Sequence, residues 1–241
     1  MSDSAPETIA LDADATAQTP KSSLSAIAAE LRQAVSLQGK RDIQMAARQL
    51  GHQALHPHTQ APIDLGDDCA AIPQADGHLL LAAEGLWPQL VESEPWFAGW
   101  CAVMVNVSDI YAMGGTPLAI VDTLWAESIQ EGQALWAGMK AASLAYGVPI
   151  VGGHTNCRSD YTALSVAILG ESQHLLSSFE AQPGDRLLMA VDLRGQRFKN
   201  YPFWNAATTV TPQRLREDLA VLPRLAARGW CRAGKDISMG G

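Results

Sequence analysis

"NVSDIYAMGG" (106–115) is the stretch on which the reading of this chain turns. It continues "PWFAGWCAVMV" (95–105), which is apolar almost throughout. Pro95 stands near the start, and Gly114-Gly115 followed by Thr116-Pro117 closes the run, so the pattern predicts one long helix over 95–115. Asn106 and Asp109 sit inside it, spaced so that both project from one helix face. Their neighbours are Val103, Val105, Val107, Ile110 and Met113. An unpaired carboxylate in such surroundings is costly, and mid-helix placement does not suit a cap. Two readings stay open: a polar surface face, or a charge that a ligand satisfies.

Outward from that helix the elements alternate. "GHLLLAAEG" (77–85) reads as a strand, "PLAIVDTLW" (117–125) as another, and "IQEGQALWAGMKAASLAYG" (129–147) as a helix closed by Gly147. "VPIVGG" (148–153) reads as a short strand ending in a glycine turn. "YTALSVAILGE" (161–171) and "DRLLMAV" (185–191) read as strands, the second launched by a turn at "PGD" (183–185). "TPQRLREDLAVLPRLAARG" (211–229) reads as one helix, with Thr211 at the N-cap, Pro212 at N1 and Gly229 past the end. Two short helices are expected near 23–36 and 40–50, the first after a Ser cap and the second ended by Gly51. Residues 1–22 have the composition of a disordered tail. The domain division is therefore a tail (1–22), a helical segment (23–60), a central α+β domain (61–176) and a linker with the start of a further domain (177–241). The glycine-rich "AGKDISMGG" (233–241) predicts that more of that domain follows.

The bulk composition narrows the function. The chain has 241 residues, 47% hydrophobic and 17% charged, enough for one large domain or two smaller ones with a real core. A net charge of −8 argues against general nucleic-acid affinity, although divalent cations could still bridge its carboxylates to an anionic substrate. Cys69, Cys101, Cys157 and Cys231 form no CxxC pair, which suits a reducing, cytoplasmic setting. No apolar run reaches the roughly 18 residues of a membrane span, and the acidic N-terminus does not read as a signal peptide.

Chemistry-bearing residues recur at element ends. "DLGDDCAAIP" (64–73) sets Asp67 and Asp68 after the flexible Gly66 and before an apolar strand. Adjacent carboxylates repel unless cations or N–H groups neutralise them, yet Gly-Asp-Asp is also an ordinary solvated turn. Glu84 ends an apolar strand, where functional groups commonly face a cleft. In "VGGHTN" (151–156), Gly152 and Gly153 allow close backbone approach to a ligand. His154 has three open roles there: contacting phosphate, binding metal, or packing. His52, His56 and His58 cluster without an acidic partner, and Pro57 breaks their spacing. Arg194, Arg197 and Lys199 lie on a basic loop, either solvated or receiving an anionic substrate. Trp87, Trp96, Trp100 and Trp125 read as core or interface.

The order of these motifs carries more than any one of them. Gly-Asp-Asp, a strand ending in an acid, a helix with Asn-x-x-Asp and Ala-Met-Gly-Gly, then a strand, a helix and Gly-Gly-x-Thr resembles the ATP-binding superfamily of aminoimidazole ribonucleotide (AIR) synthetase, the PurM-like proteins. The relatives that this resemblance implies include thiamine-monophosphate kinase, selenophosphate synthetase and a carbamoyl-dehydrating hydrogenase maturation factor. The resemblance covers about residues 62–192 and "KDISMGG" at the end.

That resemblance implies an α+β domain with a mixed or antiparallel sheet covered by helices. It implies a homodimer in which two such domains share a barrel. It implies ATP between barrel and C-terminal domain, with Mg²⁺ on its phosphates and a small-molecule substrate. Carried over by motif, Asp68, Glu84, Asp109 and Asp236 would hold metal. Gly66, Asp67, Asn106, Gly152, Gly153, His154 and Thr155 would line the nucleotide. Glu84 stands where relatives have Asp, and His154 where they have Asp, Glu or Gln. Both departures count against thiamine monophosphate as substrate. Gly39-Lys40 has no cysteine nearby, which counts against selenophosphate synthesis. The expectation is an ATP-dependent phosphotransferase or ligase-like enzyme. The alternative, motivated by His154, is a nucleotide- or partner-binding dimer without catalysis.

Overall fold

The computed structural model describes residues 23–33, 35–51 and 53–238. The expected tail over 1–22, Ala34, His52 and the last three residues lie outside them. Helices α1 (Leu24–Gln33) and α2 (Val35–Leu50) come first, followed by a small hairpin of β1 (Gln53–Leu55) and β2 (Pro62–Asp64). The central unit then runs β3 (Ala70–Gln74), β4 (Gly77–Gly85), α3 (Pro88–Ser93), α4 (Pro95–Ala112), β5 (Thr116–Trp125), α5 (Ile129–Tyr146), β6 (Ile150–Asn156) and β7 (Ala163–Ser172). After it come a 3₁₀ turn (Ser178–Glu180), the two-residue strands β8 (Gln196–Arg197) and β9 (Trp204–Asn205), and helices α6 (Pro212–Leu219) and α7 (Val221–Ala227).

The class is α+β, built on a five-stranded mixed sheet in the order β3-β4-β7-β5-β6. Strand β7 lies between β4 and β5 and is antiparallel to both. The connection through α4 is therefore a split βαβ unit. Strands β5 and β6 pair directly in parallel, with α5 as crossover. Alternate residues of β7 are buried, Leu164, Val166 and Ile168 among them, so one face of the sheet packs on the helices. The other face leaves Leu81 and Val121 exposed, opposite Leu169 and Ala167 of β7.

Local signals explain the element ends. Helix α4 starts on Pro95 at its first turn and is buried along most of its length. Helix α5 starts at Ser128, whose hydroxyl accepts from the Glu131 N–H at 3.3 Å, and stops at Gly147 in the left-handed region at φ 73°. The two helices interlock through glycines. A Cβ on Gly99 would overlap the carbonyl oxygen of Leu135, and one on Gly138 that of Trp96.

Three expectations need correction. Residues 185–191 are not a strand: they run without ladder partners among the described residues, and Leu187 is 96% exposed. Their apolar run supplies β-propensity, but a strand exists only with a neighbour to bond. The helix over 211–229 is two helices, broken at Ala220. Pro223 has no N–H for the carbonyl four residues back and its ring crowds that carbonyl. Strand β6 does not end at Gly153. It runs on to Asn156 because Gly152–Asn156 pair in register with Val121–Trp125. No helix among the described residues is long and apolar enough to cross a membrane. The four cysteines form no disulfide.

Candidate functional site

Three separate pieces of chain meet at the C-terminal end of α4. Asn106 is 0% and Asp109 6% exposed, so the polar pair faces inward. The Asn106 Nδ2 donates to the carbonyl of Ala102 at 2.8 Å, one turn back. Its Oδ1, and Asp109 Oδ2, are buried with no hydrogen-bond partner among the described residues. The turn at Gly66, with φ 106°, brings Asp68 over the same helix end. The segment at 232–236 closes it from the other side. Gly234 packs so tightly that a Cβ would come within 2.6 Å of the Ala112 carbonyl oxygen. Carboxylate oxygens of Asp68, Asp109 and Asp236 then all lie within 4.8 Å of one another.

The electrostatics follow from this crowding. Burial, and then the negative charges of Asp236, Glu84 and Asp68, push the Asp109 carboxyl up to about 8, with Lys235 opposing them. The Lys235 ammonium pairs with Asp68 Oδ1, and the Asp236 N–H donates to Asp68 Oδ2 at 3.1 Å. Burial pushes the Cys69 thiol up, so it is inert as a nucleophile.

Asp67 has a different job from its neighbour. Its Oδ2 accepts from the Ser177 hydroxyl at 2.7 Å and the Ser178 N–H at 2.9 Å; its Oδ1 accepts from the Ser178 hydroxyl at 2.8 Å and the Asp68 N–H at 3.1 Å. It ties the Gly-Asp-Asp turn to the segment after β7. Replacing Asp67 by Ala is expected to cost about 2–4 kcal/mol, since several donors lose a charged acceptor at once. Chemical denaturation measures it.

The remaining sequence candidates fall in two other places. Gly152, Gly153, His154 and Thr155 form the exposed edge strand β6. Gly153 belongs to the cross-strand row Glu84–Val166–Asp122–Gly153, at the same end of the sheet as Glu84. Three strand spacings separate Glu84 from Gly153, about 14 Å, so these residues do not join the carboxylate cluster. Arg194, Arg197 and Lys199 are elsewhere. Arg194 pairs with Asp192 and Asp218, Arg197 donates to the Tyr201 carbonyl at 3.1 Å, and Lys199 pairs with Glu94 at the start of α4. Glu94 and Asp109 are separated by about 22 Å at the 1.5 Å rise of a helix. Phe198 stacks on Phe97 at 3.7 Å and fastens this basic loop there.

Two residues escape a reading of motifs alone. Lys235 is a lysine beside an acid, which in sequence looks like a solvated pair. Asp122 is more visible: a charge in "PLAIVDTLW" (117–125), on the parity of the buried Ile120 and Leu124. Its Oδ2 is buried without a partner among the described residues, and burial raises its carboxyl.

Comparison with known proteins bears on the family and the fold. Residues 66–172 match the family described as AIR synthase related protein, N-terminal domain. An uncharacterized protein of Synechocystis is 54% identical over 213 residues, 88% of this chain and 66% of that protein. The thiamine-monophosphate kinase of Bacillus subtilis is 31% identical over 141 residues, 53% of this chain and 42% of the kinase. The crystal structure of a Thermus thermophilus protein is similar at a TM-score of 0.50 and 27% identity, over 63% of this chain and 50% of that one. This chain thus spans less than two thirds of each of these relatives. Over residues 66–172 the chain thus carries an AIR synthase-related N-terminal domain.

Proposed function

We propose that this chain binds ATP through Mg²⁺ and belongs to an enzyme that phosphorylates or activates a small molecule. The observation that carries the reading is the convergence of carboxylate oxygens of Asp68, Asp109 and Asp236 within 4.8 Å, with one Asp109 oxygen buried and without a hydrogen-bond partner among the described residues. Carboxylates packed this closely repel one another, and a divalent cation is the ligand that relieves them. The donor set suits Mg²⁺, which takes oxygen ligands and one or two carboxylates beside phosphate. Such an ion supplies charge neutralisation on the phosphates and alignment of the transferred group.

The chain's own residues divide the rest. Asp68, Asp109 and Asp236 hold the cation, with Glu84 adding negative charge beside Asp109. Asn106 presents its unpartnered oxygen from the same helix face. Gly66 lets the turn approach, and Asp67 anchors it. Gly152, Gly153, His154 and Thr155 border the nucleotide from the edge strand, where Gly152 leaves open space for phosphate. Relatives named thiamine-monophosphate kinase support a kinase-like reaction. The acceptor here differs in class from thiamine monophosphate if His154 and Glu84 set it. Arg194, Arg197 and Lys199 are left out of the substrate site because each is engaged away from the carboxylate cluster, Arg194 by Asp192 and Asp218, Arg197 by the Tyr201 carbonyl and Lys199 by Glu94 at the far end of α4.

A homodimer is part of the proposal. The open sheet face exposes Leu81 at 46% and Val121 at 42%, and edge-strand Val151 is exposed at 64%. A second copy laid against this face would cover them.

Calorimetric titration of ATP with and without Mg²⁺ tests the site. Binding that needs Mg²⁺ and disappears in Asp109→Ala is expected. Equal binding without the metal, or in the variant, would sink the proposal. Turnover across a panel of phosphate acceptors separates an enzyme from a binding dimer.

A further inference from the structure

One dipeptide engages both carboxylate oxygens of Asp68. The Lys235 ammonium pairs with Oδ1, and the Asp236 N–H donates to Oδ2. The two partners differ in freedom. The Asp68 side chain is 3% exposed, whereas that of Lys235 is 44% exposed. The backbone that carries Lys235 is pinned: the Ser177 N–H donates to the Arg232 carbonyl at 3.2 Å, and Gly234 lies against the Ala112 carbonyl. The segment is fixed and the four-carbon stem is free to turn.

The position of that ammonium is the position a cation needs. Lys235 Nζ also lies 3.9 Å from Asp236 Oδ1, and its charge opposes the repulsion on Asp109. A divalent ion ligated by Asp68 Oδ1 would sit against the ammonium, two positive charges on one oxygen. The ion and the lysine therefore compete. A bare Mg²⁺ must displace Lys235 and leave it without a partner. A phosphate-bound Mg²⁺ brings its own acceptors, and the displaced ammonium can turn to phosphate oxygens, for which a flexible lysine is well suited.

We propose that Lys235 is a phosphate-binding residue of the nucleotide site, which in the absence of ligand occupies the cation position on Asp68 and yields it when metal arrives together with phosphate. This rests on the metal–phosphate reading above. It deepens that reading, because it makes divalent-ion binding depend on nucleotide. It also gives the Lys-Asp pair of "KDIS" a role that an acidic ligand set alone does not contain.

The test is electron paramagnetic resonance titration of Mn²⁺, with and without ATP, on the wild type, Lys235→Met and Lys235→Arg. Thermal melting checks that each is folded. Without nucleotide, Lys235→Met is expected to bind Mn²⁺ about tenfold tighter, the order of a charge pair with one nearly buried partner. With ATP its advantage is expected to vanish or reverse, so that the enhancement of Mn²⁺ affinity by ATP shrinks by at least that factor. Lys235→Arg keeps a charge that can serve both partners and should retain the enhancement. A folded Lys235→Met with wild-type Mn²⁺ affinity and an unchanged ATP enhancement overturns the role of Lys235 and leaves the metal site standing. Absence of Mn²⁺ binding in the wild type, with and without ATP, overturns the metal–phosphate reading and this proposal with it.

Discussion

Gly138→Val is expected to leave the protein largely unfolded at room temperature. A Cβ at this position would overlap the backbone carbonyl of Trp96 and crowd the Trp100 nitrogen. Neither is the end of a flexible side chain, so relief requires moving α4 away from α5 as a body. The reciprocal contact, Gly99 against the Leu135 carbonyl, resists that movement. Overpacked cores typically lose about 1–3 kcal/mol when side chains can adjust. Here backbone meets backbone and valine adds a branched group, so a loss above about 5 kcal/mol is expected, enough to exhaust a margin at the lower end of the typical range of about 5–15 kcal/mol. Gly132→Ala is the control. Its added methyl meets only the Trp136 ring, which can shift. Urea denaturation followed by tryptophan fluorescence should show a near-wild-type transition for Gly132→Ala and none at low urea for Gly138→Val. Two similar transitions would mean that the helices are not locked at these glycines.

Asp109→Asn should have effects of opposite sign on stability and on binding. The Asp109 carboxyl is raised from 3.8 to about 8 by burial first and then by Asp236, Glu84 and Asp68. Between these values the folded protein holds a proton that the unfolded chain has released. Stability of the metal-free protein therefore falls as pH rises from about 4 to about 8. Asparagine has the same shape and no charge, so this slope disappears. Above pH 8 the metal-free variant is expected to be more stable than wild type by on the order of 2–4 kcal/mol. Mg²⁺-dependent ATP affinity should drop by about a hundredfold or more, because a ligand oxygen becomes a neutral amide. Thermal melts across pH, with chelator present, measure the first effect and calorimetry the second. A metal-free variant less stable than wild type at pH 8 would mean that the Asp109 charge is already well paired.

The central fold was readable because its signals are local and redundant. Helix α4 carries an apolar run bounded by Pro95 and Gly114-Gly115, and α5 carries a Ser128 cap and a Gly147 stop. Strands β4, β5 and β7 are long enough to show themselves as apolar runs. What escaped depends on partners. The hairpins β1–β2 and β8–β9 have strands of two or three residues, too short for any period. "DRLLMAV" (185–191) has strand composition, yet pairing is a property of a neighbour and not of the segment. Pro223 was visible inside "AVLPRLAARG", but its power to break a helix there outweighed the caps at both ends.

The site divides in the same way. Asp68, Asp109 and Asp236 each stand in a recognisable motif, and tertiary structure brings their oxygens together. Asp67 and Asp68 are adjacent identical residues, set apart at the sequence level only by the resemblance, and they are used differently. Ser177 and Ser178 consume Asp67, while Asp68 turns toward Asp109 and Asp236. No spacing rule distinguishes them, since the deciding donors lie more than a hundred positions away. The same holds for Lys235, whose partner Asp68 is 167 positions distant.

The most direct measurement is an anomalous difference map from crystals grown with Mn²⁺ and a non-hydrolysable ATP analogue. A peak within about 2.0–2.4 Å of carboxylate oxygens of Asp68 and Asp109, with the analogue's phosphates completing its shell and Lys235 turned off Asp68, is the expected result. Nucleotide bound elsewhere, or bound there with no metal on these carboxylates, would contradict the metal–phosphate site.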